Sequence, residues 1–205
     1  MDRSATFASL QVHNYRLYAA GGLVSNAGTW MGRVAQDWLV LTELTDDSST
    51  ALGMATGLQF APFLVLAPWT GMVADRFPKR RILVTTQTTL AVTALLLGIL
   101  TVSGVVQLWQ VYALAFVQGL AQAIDNPARQ AFVVEMVGHE DLMNAIALNS
   151  LTFNVARMIG PSIAGILMGA FGVASCFLIN SLSFVAVLIS LFFIHPIPSG
   201  VPEET

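Results

Sequence analysis

Apolar residues gather along this chain in six blocks, at about 17–41, 52–74, 82–102, 108–124, 145–171 and 173–194, separated by short polar or Gly/Pro-containing breaks. At about 1.5 Å of rise per residue, even the shortest block covers most of a hydrocarbon core about 30 Å thick once its flanks are counted. The pattern predicts an all-α polytopic membrane protein with six transmembrane helices over 17–194. Residues 1–16 hold Asp2, Arg3, Gln11, His13, Asn14 and Arg16 and no apolar run, so they read as an amphipathic lead-in at the cytoplasmic surface, not as a signal peptide. Residues 195–205 read as a cytoplasmic tail.

Composition sharpens this picture. Hydrophobic residues make up 55% of the chain and charged ones only 10%, against about 25% charged in soluble domains. A net charge of −3 gives no basic face for nucleic acid. Cys176, the single cysteine, can form no intrachain disulfide and has no companions for a metal site. His13, His139 and His195 are scattered over segment ends and read as interfacial residues. Seven of the nine cations fall outside the blocks: Arg3 and Arg16 before the first, Arg76, Lys79, Arg80 and Arg81 between the second and third, and Arg129 after the fourth. The loop after the first block carries Glu43, Asp46 and Asp47 and no cation. Cationic loops stay inside, so both termini are expected in the cytoplasm and the chain in the plasma (inner) membrane.

Two cations remain inside blocks, and each intramembrane charge costs about 2.5–3.5 kcal/mol on insertion scales. In the first helix Asn26, Trp30, Arg33 and Asp37 share one face. Arg33 and Asp37 can pair as an outer-end anchor, or the stripe can line a substrate or proton pathway. In the fourth helix Gln118, Gln122, Asp125 and Arg129 repeat the same spacing and end at the cytoplasmic side. In the fifth, Asn154 and Arg157 share a face just before Gly160 and Pro161, where a proline can kink the helix and glycines permit close approach. Gly28/Gly32, Gly53/Gly57 and Gly165/Gly169 read as helix-packing faces. The third and sixth helices carry no charge, which suits lipid-facing positions. The chain lacks a phosphate-binding G-x-x-x-x-G-K-[ST] loop, a His/Glu metal pair and a Ser/His/Asp set, so neither enzyme activity nor a metal or cofactor is expected.

Gly71-Met-Val-Ala-Asp75-Arg76-Phe-Pro-Lys-Arg80-Arg81, lying between the second and third blocks, resembles the signature at that place in the major facilitator superfamily of transporters. Further stretches resemble its efflux branch of drug and siderophore exporters, which includes the enterobactin exporter. They are Asn14–Tyr18, Ser25–Trp30, Ala35–Val40, Asp125–Gln130 and Asn149–Gly165. The last is similar to the helix-5 antiporter motif around Gly160, Pro161 and Gly165, although Ala156 stands where that motif has its first glycine. The resemblance implies two inverted three-helix repeats and a cytoplasmic gate drawn from Gly71, Asp75, Arg76, Arg80, Arg81, Asp125 and Arg129. It also implies neighbouring helices 2 and 4, which would bring Asp125 within reach of Arg76 or Arg80. Family members have about twelve helices in two halves, so this chain reads as an N-terminal half that pairs with a C-terminal half or with itself. The implied function is proton-coupled efflux of small amphipathic molecules by alternating access, with Asn26, Arg33, Asp37, Gln118, Asn154 and Arg157 as the substrate and proton-pathway candidates. The alternative is a non-transporting membrane subunit or truncated remnant.

Overall fold

Lipid offers the backbone no water to bond, so each apolar block satisfies its own N–H and C=O groups as helix. The computed structural model describes residues 8–137 and 141–194, without the side chains of 8 and 73–75. A 3₁₀ turn at Ala8–Gln11 leads into six helices: α1 His13–Trp38, α2 Ser49–Arg76, α3 Lys79–Val102, α4 Leu108–Val137, α5 Leu142–Phe171 and α6 Val173–Phe193. A π-helical segment, Leu39–Leu44, extends α1. Among the described residues there is no strand. Four of the helices, α2, α3, α5 and α6, are long and apolar enough to cross a membrane by length and composition; α1 and α4 carry the polar stripes and fall short of that measure.

Several boundaries differ from expectation. α4 does not end at Ile124 but runs to Val137, more than three turns further, with Pro127 inside it. α1 already begins at His13, so the last four residues of the expected lead-in are part of that helix. Ser9 ties the 3₁₀ turn to α5, its Oγ donating to Asn144 Oδ1 at 2.6 Å, and Tyr15 OH donates to the Ala145 carbonyl at 3.0 Å. α5 ends where Gly172 takes φ +79°, a conformation that disfavours any side chain, and its N–H closes the helix onto Met168 O at 3.0 Å.

The buried core falls into two main clusters at opposite ends of the bundle. One gathers Tyr15, Tyr18, Leu83, Ala128, Phe132, Ala145, Val187 and Leu191. The other gathers Met31, Leu39, Ala55, Leu97, Val111, Ala164, Cys176 and Phe177. α1, α3, α4, α5 and α6 each start in one cluster and finish in the other, and α2 starts in the second, so consecutive helices alternate in direction. Leu10 and Ile194, near the two ends of the described chain, belong to the same cluster. The main packing pairs are α2 with α4, α3 with α6, α1 with α6, α1 with α5, and α3 with α4. Exchanging helices 1–3 with helices 4–6 in order leaves this set of pairs unchanged.

Glycines set how close the pairs come. A Cβ at Gly32 would stand 2.6 Å from Asn180 Nδ2, and Gly28 lies equally tight against Ser183, so α1 and α6 touch along that seam. Among the described residues nothing lies within 4 Å of a Cβ position at Gly53, Gly57, Gly165 or Gly169, so those two expected packing faces are left open. α3 and α6 are also more buried than α2 and α5. Their expected lipid-facing character holds for one side only, carried by Val84, Val92, Leu95 and Ile99 on α3 and Leu182, Val185 and Ile189 on α6.

Candidate functional site

Between the two apolar clusters lies a cavity of about 610 Å³, into which the polar stripes of α1, α4 and α5 converge. Asn26, Trp30 and Arg33 line it from α1, Gln122, Asp125, Asn126 and Arg129 from α4, and Asn149, Asn154 and Arg157 from α5. Asn26, Arg33, Asn154 and Arg157 therefore share one space. Gln118 and Asp37 do not line it; Gln118 accepts a long bond, 3.5 Å, from Gln59 Nε2.

Arg33 is held without a carboxylate. Its Nη2 donates to Gln122 Oε1 at 2.8 Å, and its guanidinium lies 5.0 Å from the Trp30 ring centre and 5.2 Å from that of Phe60. The expected direct pair with Asp37 does not form: none of the ion pairs found joins the two. The guanidinium turns instead to the cavity side, toward Gln122 and the two rings. Arg33 Nε remains buried with no hydrogen-bond partner. The Arg157 guanidinium sits 5.4 Å from the same Trp30 ring, whose other neighbour is Phe153 in an edge-on contact at 5.7 Å. Trp30 thus carries two cations, and cation–π attraction accounts for the placement of both.

Among the described residues Asp125 is the cavity's one carboxylate, and it is 3% exposed. Arg129 donates to its Oδ2 from Nη2 at 2.9 Å and Nε at 3.1 Å, while Thr86 Oγ1 and Gln87 Nε2 donate to its Oδ1 at 2.6 and 2.8 Å. This corrects the expected approach of Asp125 to Arg76 or Arg80. α2 and α4 are neighbours as expected, but Asp125 turns inward toward α3, and its fourfold coordination leaves no lone pair for a loop cation. Arg80 instead donates to the Phe192 carbonyl at 3.2 Å, and Lys79 pairs with Glu135 at 3.0 Å. The Asp75 side chain lies outside the described residues, while Gly71 and Arg81 are exposed.

Thr86, Gln87, Phe60, Phe63 and Phe153 were not legible as site residues. Thr86 and Gln87 stand in a Thr-Thr-Gln-Thr-Thr run, an uncharged polar patch in an otherwise apolar helix, and that was the available signal. The phenylalanines are indistinguishable from lipid-facing ones in sequence. Gly160 brings α5 onto α1, with a Cβ position 2.6 Å from Trp30 Cβ and 2.9 Å from the Ala27 carbonyl, which sets Arg157 against the Trp30 ring. Pro161 lies within α5, which continues through it to Phe171.

A family model described as transmembrane secretion effector matches residues 4–204. The staphyloferrin A transporter of Staphylococcus aureus (strain NCTC 8325 / PS 47) is 29% identical over 179 residues, which is 86% of this chain and 44% of that protein. Macrolide efflux protein A of Streptococcus pyogenes is 24% identical over 155 residues, 76% of this chain and 38% of that protein. The enterobactin exporter EntS of Salmonella choleraesuis (strain SC-B67) is 24% identical over 135 residues, 66% of this chain and 32% of that protein. The chain thus spans less than half the length of these relatives. No solved structure matches it.

Proposed function

The chain belongs to the transmembrane secretion effector family of the major facilitator superfamily, and on that premise we propose that it forms one six-helix wall of a secondary exporter for small amphipathic molecules. It is a multi-pass membrane protein of a transporter family, not an enzyme. The carrying observation is the polar, cationic cavity between two apolar clusters. Intramembrane guanidiniums are costly unless a cavity or a ligand receives them, and here Arg33 and Arg157 face one space. Alternating helix directions support six crossings, and the exchange symmetry of the packing pairs supports two inverted three-helix repeats. Lys79, Arg80, Arg81 and Arg129 lie toward the cluster that holds Leu10 and Ile194, which supports cytoplasmic termini in the inner membrane.

In this reading Asn26, Arg33, Asn154 and Arg157 contact the substrate, and the Asp125–Arg129 pair with Thr86 and Gln87 latches α4 to α3 in one access state. Gly71, Asp75, Arg76, Arg80 and Arg81 form the cytoplasmic part of that gate. Gly160 and Pro161 let α5 rock on α1, with Gly165 on its open side. A second six-helix unit, either a C-terminal half or another copy, closes the cavity, and entering protons drive the cycle. The test is efflux in everted vesicles, with the chain alone and with a complementary half. Substrate accumulation that collapses with the proton gradient is expected when both units are present. No accumulation under any pairing would leave a subunit that only packs.

A further inference from the structure

Resting on the reading of this cavity as a substrate wall, we infer that it selects ligands carrying two or more negative charges next to an aromatic or apolar body. Among the described residues, the charged groups lining the cavity are Arg33, Arg129 and Arg157 against Asp125 alone. Asp125 is consumed by Arg129, with Thr86 and Gln87 saturating its other oxygen. Two positive charges are therefore left over within the cavity lining; Asp37, four residues from Arg33 on α1, lies outside that lining and makes no ion pair with Arg33. Both leftover guanidiniums sit near one indole, at 5.0 and 5.4 Å from the Trp30 ring centre, so they stand within about 10 Å of each other, close to the Debye length at about 0.1 M salt. Away from bulk water their repulsion is screened less, and an anion bridging them removes it.

The hydrogen-bond inventory agrees. Arg33 uses Nη2 on Gln122, and its buried Nε has no partner, so the guanidinium keeps donors for a carboxylate. Arg157 makes no ion pair among the described residues, and its guanidinium rests over the face of Trp30. Phe60, Phe63 and Phe153 supply flat apolar surface around the two cations. A neutral macrocycle would leave both charges uncompensated, and a cationic amphiphile would add a third.

The experiment uses the full chain in nanodiscs and three matched probes: naphthalene-2,6-dicarboxylate, the corresponding dicarboxamide, and the bis(methylammonium). Equilibrium dialysis is expected to give the dicarboxylate at least tenfold tighter binding than either other probe, weakening as KCl rises from about 50 to 500 mM. Arg33→Gln and Arg157→Gln should each erase most of that preference, while Arg157→Lys keeps part of it by retaining charge without the planar fork. Salt dependence in the unaltered chain keeps the test decisive if a variant misfolds. Equal binding of the three probes, tighter binding of the ammonium, or binding of none overturns the inference. Charge-selective binding without vesicle efflux would sink the transporter reading and leave the anion site standing, whereas efflux with charge-blind binding would do the reverse.

Discussion

Trp30 and Asp125 organise the cavity in opposite ways. The indole tolerates two guanidiniums because its π face is attractive to both and demands no fixed geometry. The carboxylate does demand geometry: Asp125 is nearly fully buried and takes two bonds from Arg129 and two from α3. Removing one partner of such a pair strands the other charge, which costs about 3–5 kcal/mol in buried settings, while removing both can be nearly neutral. Asp125→Asn is therefore expected to lower unfolding stability in mild detergent by that order, and Arg129→Gln by a similar amount. The double variant should lose far less than the two losses added together, a coupling read directly in a double-mutant cycle. Additive losses would mean that the pair holds nothing together. Arg80→Gln should not couple to Asp125→Asn, because Arg80 bonds the Phe192 carbonyl.

At the level of helices, glycine positions sort themselves into closed seams and open faces. A side chain at Gly160 would strike the Trp30 Cβ and the α1 backbone at Ala27 and Met31, and backbone cannot rotate away. Gly160→Val is expected to cost about 1–3 kcal/mol as overpacking, seen as a lowered denaturation midpoint. Gly165→Val, one and a half turns along the same helix, meets nothing among the described residues and should stay within about 0.5 kcal/mol. Equal losses at both positions would show that α5 does not pack on α1 as described. This contrast also marks what sequence can carry. The helices, their order and the converging stripes of Asn26, Arg33, Asn154 and Arg157 follow from hydropathy and a 3.6-residue period. Which G-x-x-x-G face is occupied depends on a neighbour, so Gly28/Gly32 and Gly165/Gly169 look alike in sequence although only the first pair is filled. The length of α4 was hidden for another reason: Asp125, Asn126, Pro127 and Arg129 look like a helix end, yet the helix passes through them because Asp125 and Arg129 satisfy each other four residues apart. The same internal pair explains why Asp125 faces α3 and not the loop cations.

For the molecule in its membrane, orientation and association are the open quantities, and both have direct tests. With Cys176 replaced by Ala, a cysteine at Asp47 should react with an impermeant maleimide in intact cells and one at Arg81 should not, since the cations gather at the end that holds Leu10 and Ile194. Reaction at Arg81 equal to that at Asp47 would reverse or abolish the proposed topology. Association follows from what α2 and α5 leave uncovered. Their unfilled glycine faces at Gly53, Gly57, Gly165 and Gly169 permit close helix approach, and Leu64, Met158 and Ile166 project beside them at 82%, 76% and 72% exposure. Apolar exposure alone drives nothing in lipid, where the tails are as apolar as leucine. The drive comes from the cavity that opens between these faces, because Asn154 and Arg157 are exposed there and lipid would leave a guanidinium at a cost of several kcal/mol. A second six-helix unit placed on α2 and α5 hides that charge and closes the cavity in one step. Crosslinking of cysteines at Met158 and Leu64 in native membranes should therefore trap a pair of units, and Arg157→Leu should weaken the trapping by removing the group that most needs cover. Monomer at every membrane density, unchanged by Arg157→Leu, would show that the open face is content in lipid and that the cavity needs no second wall.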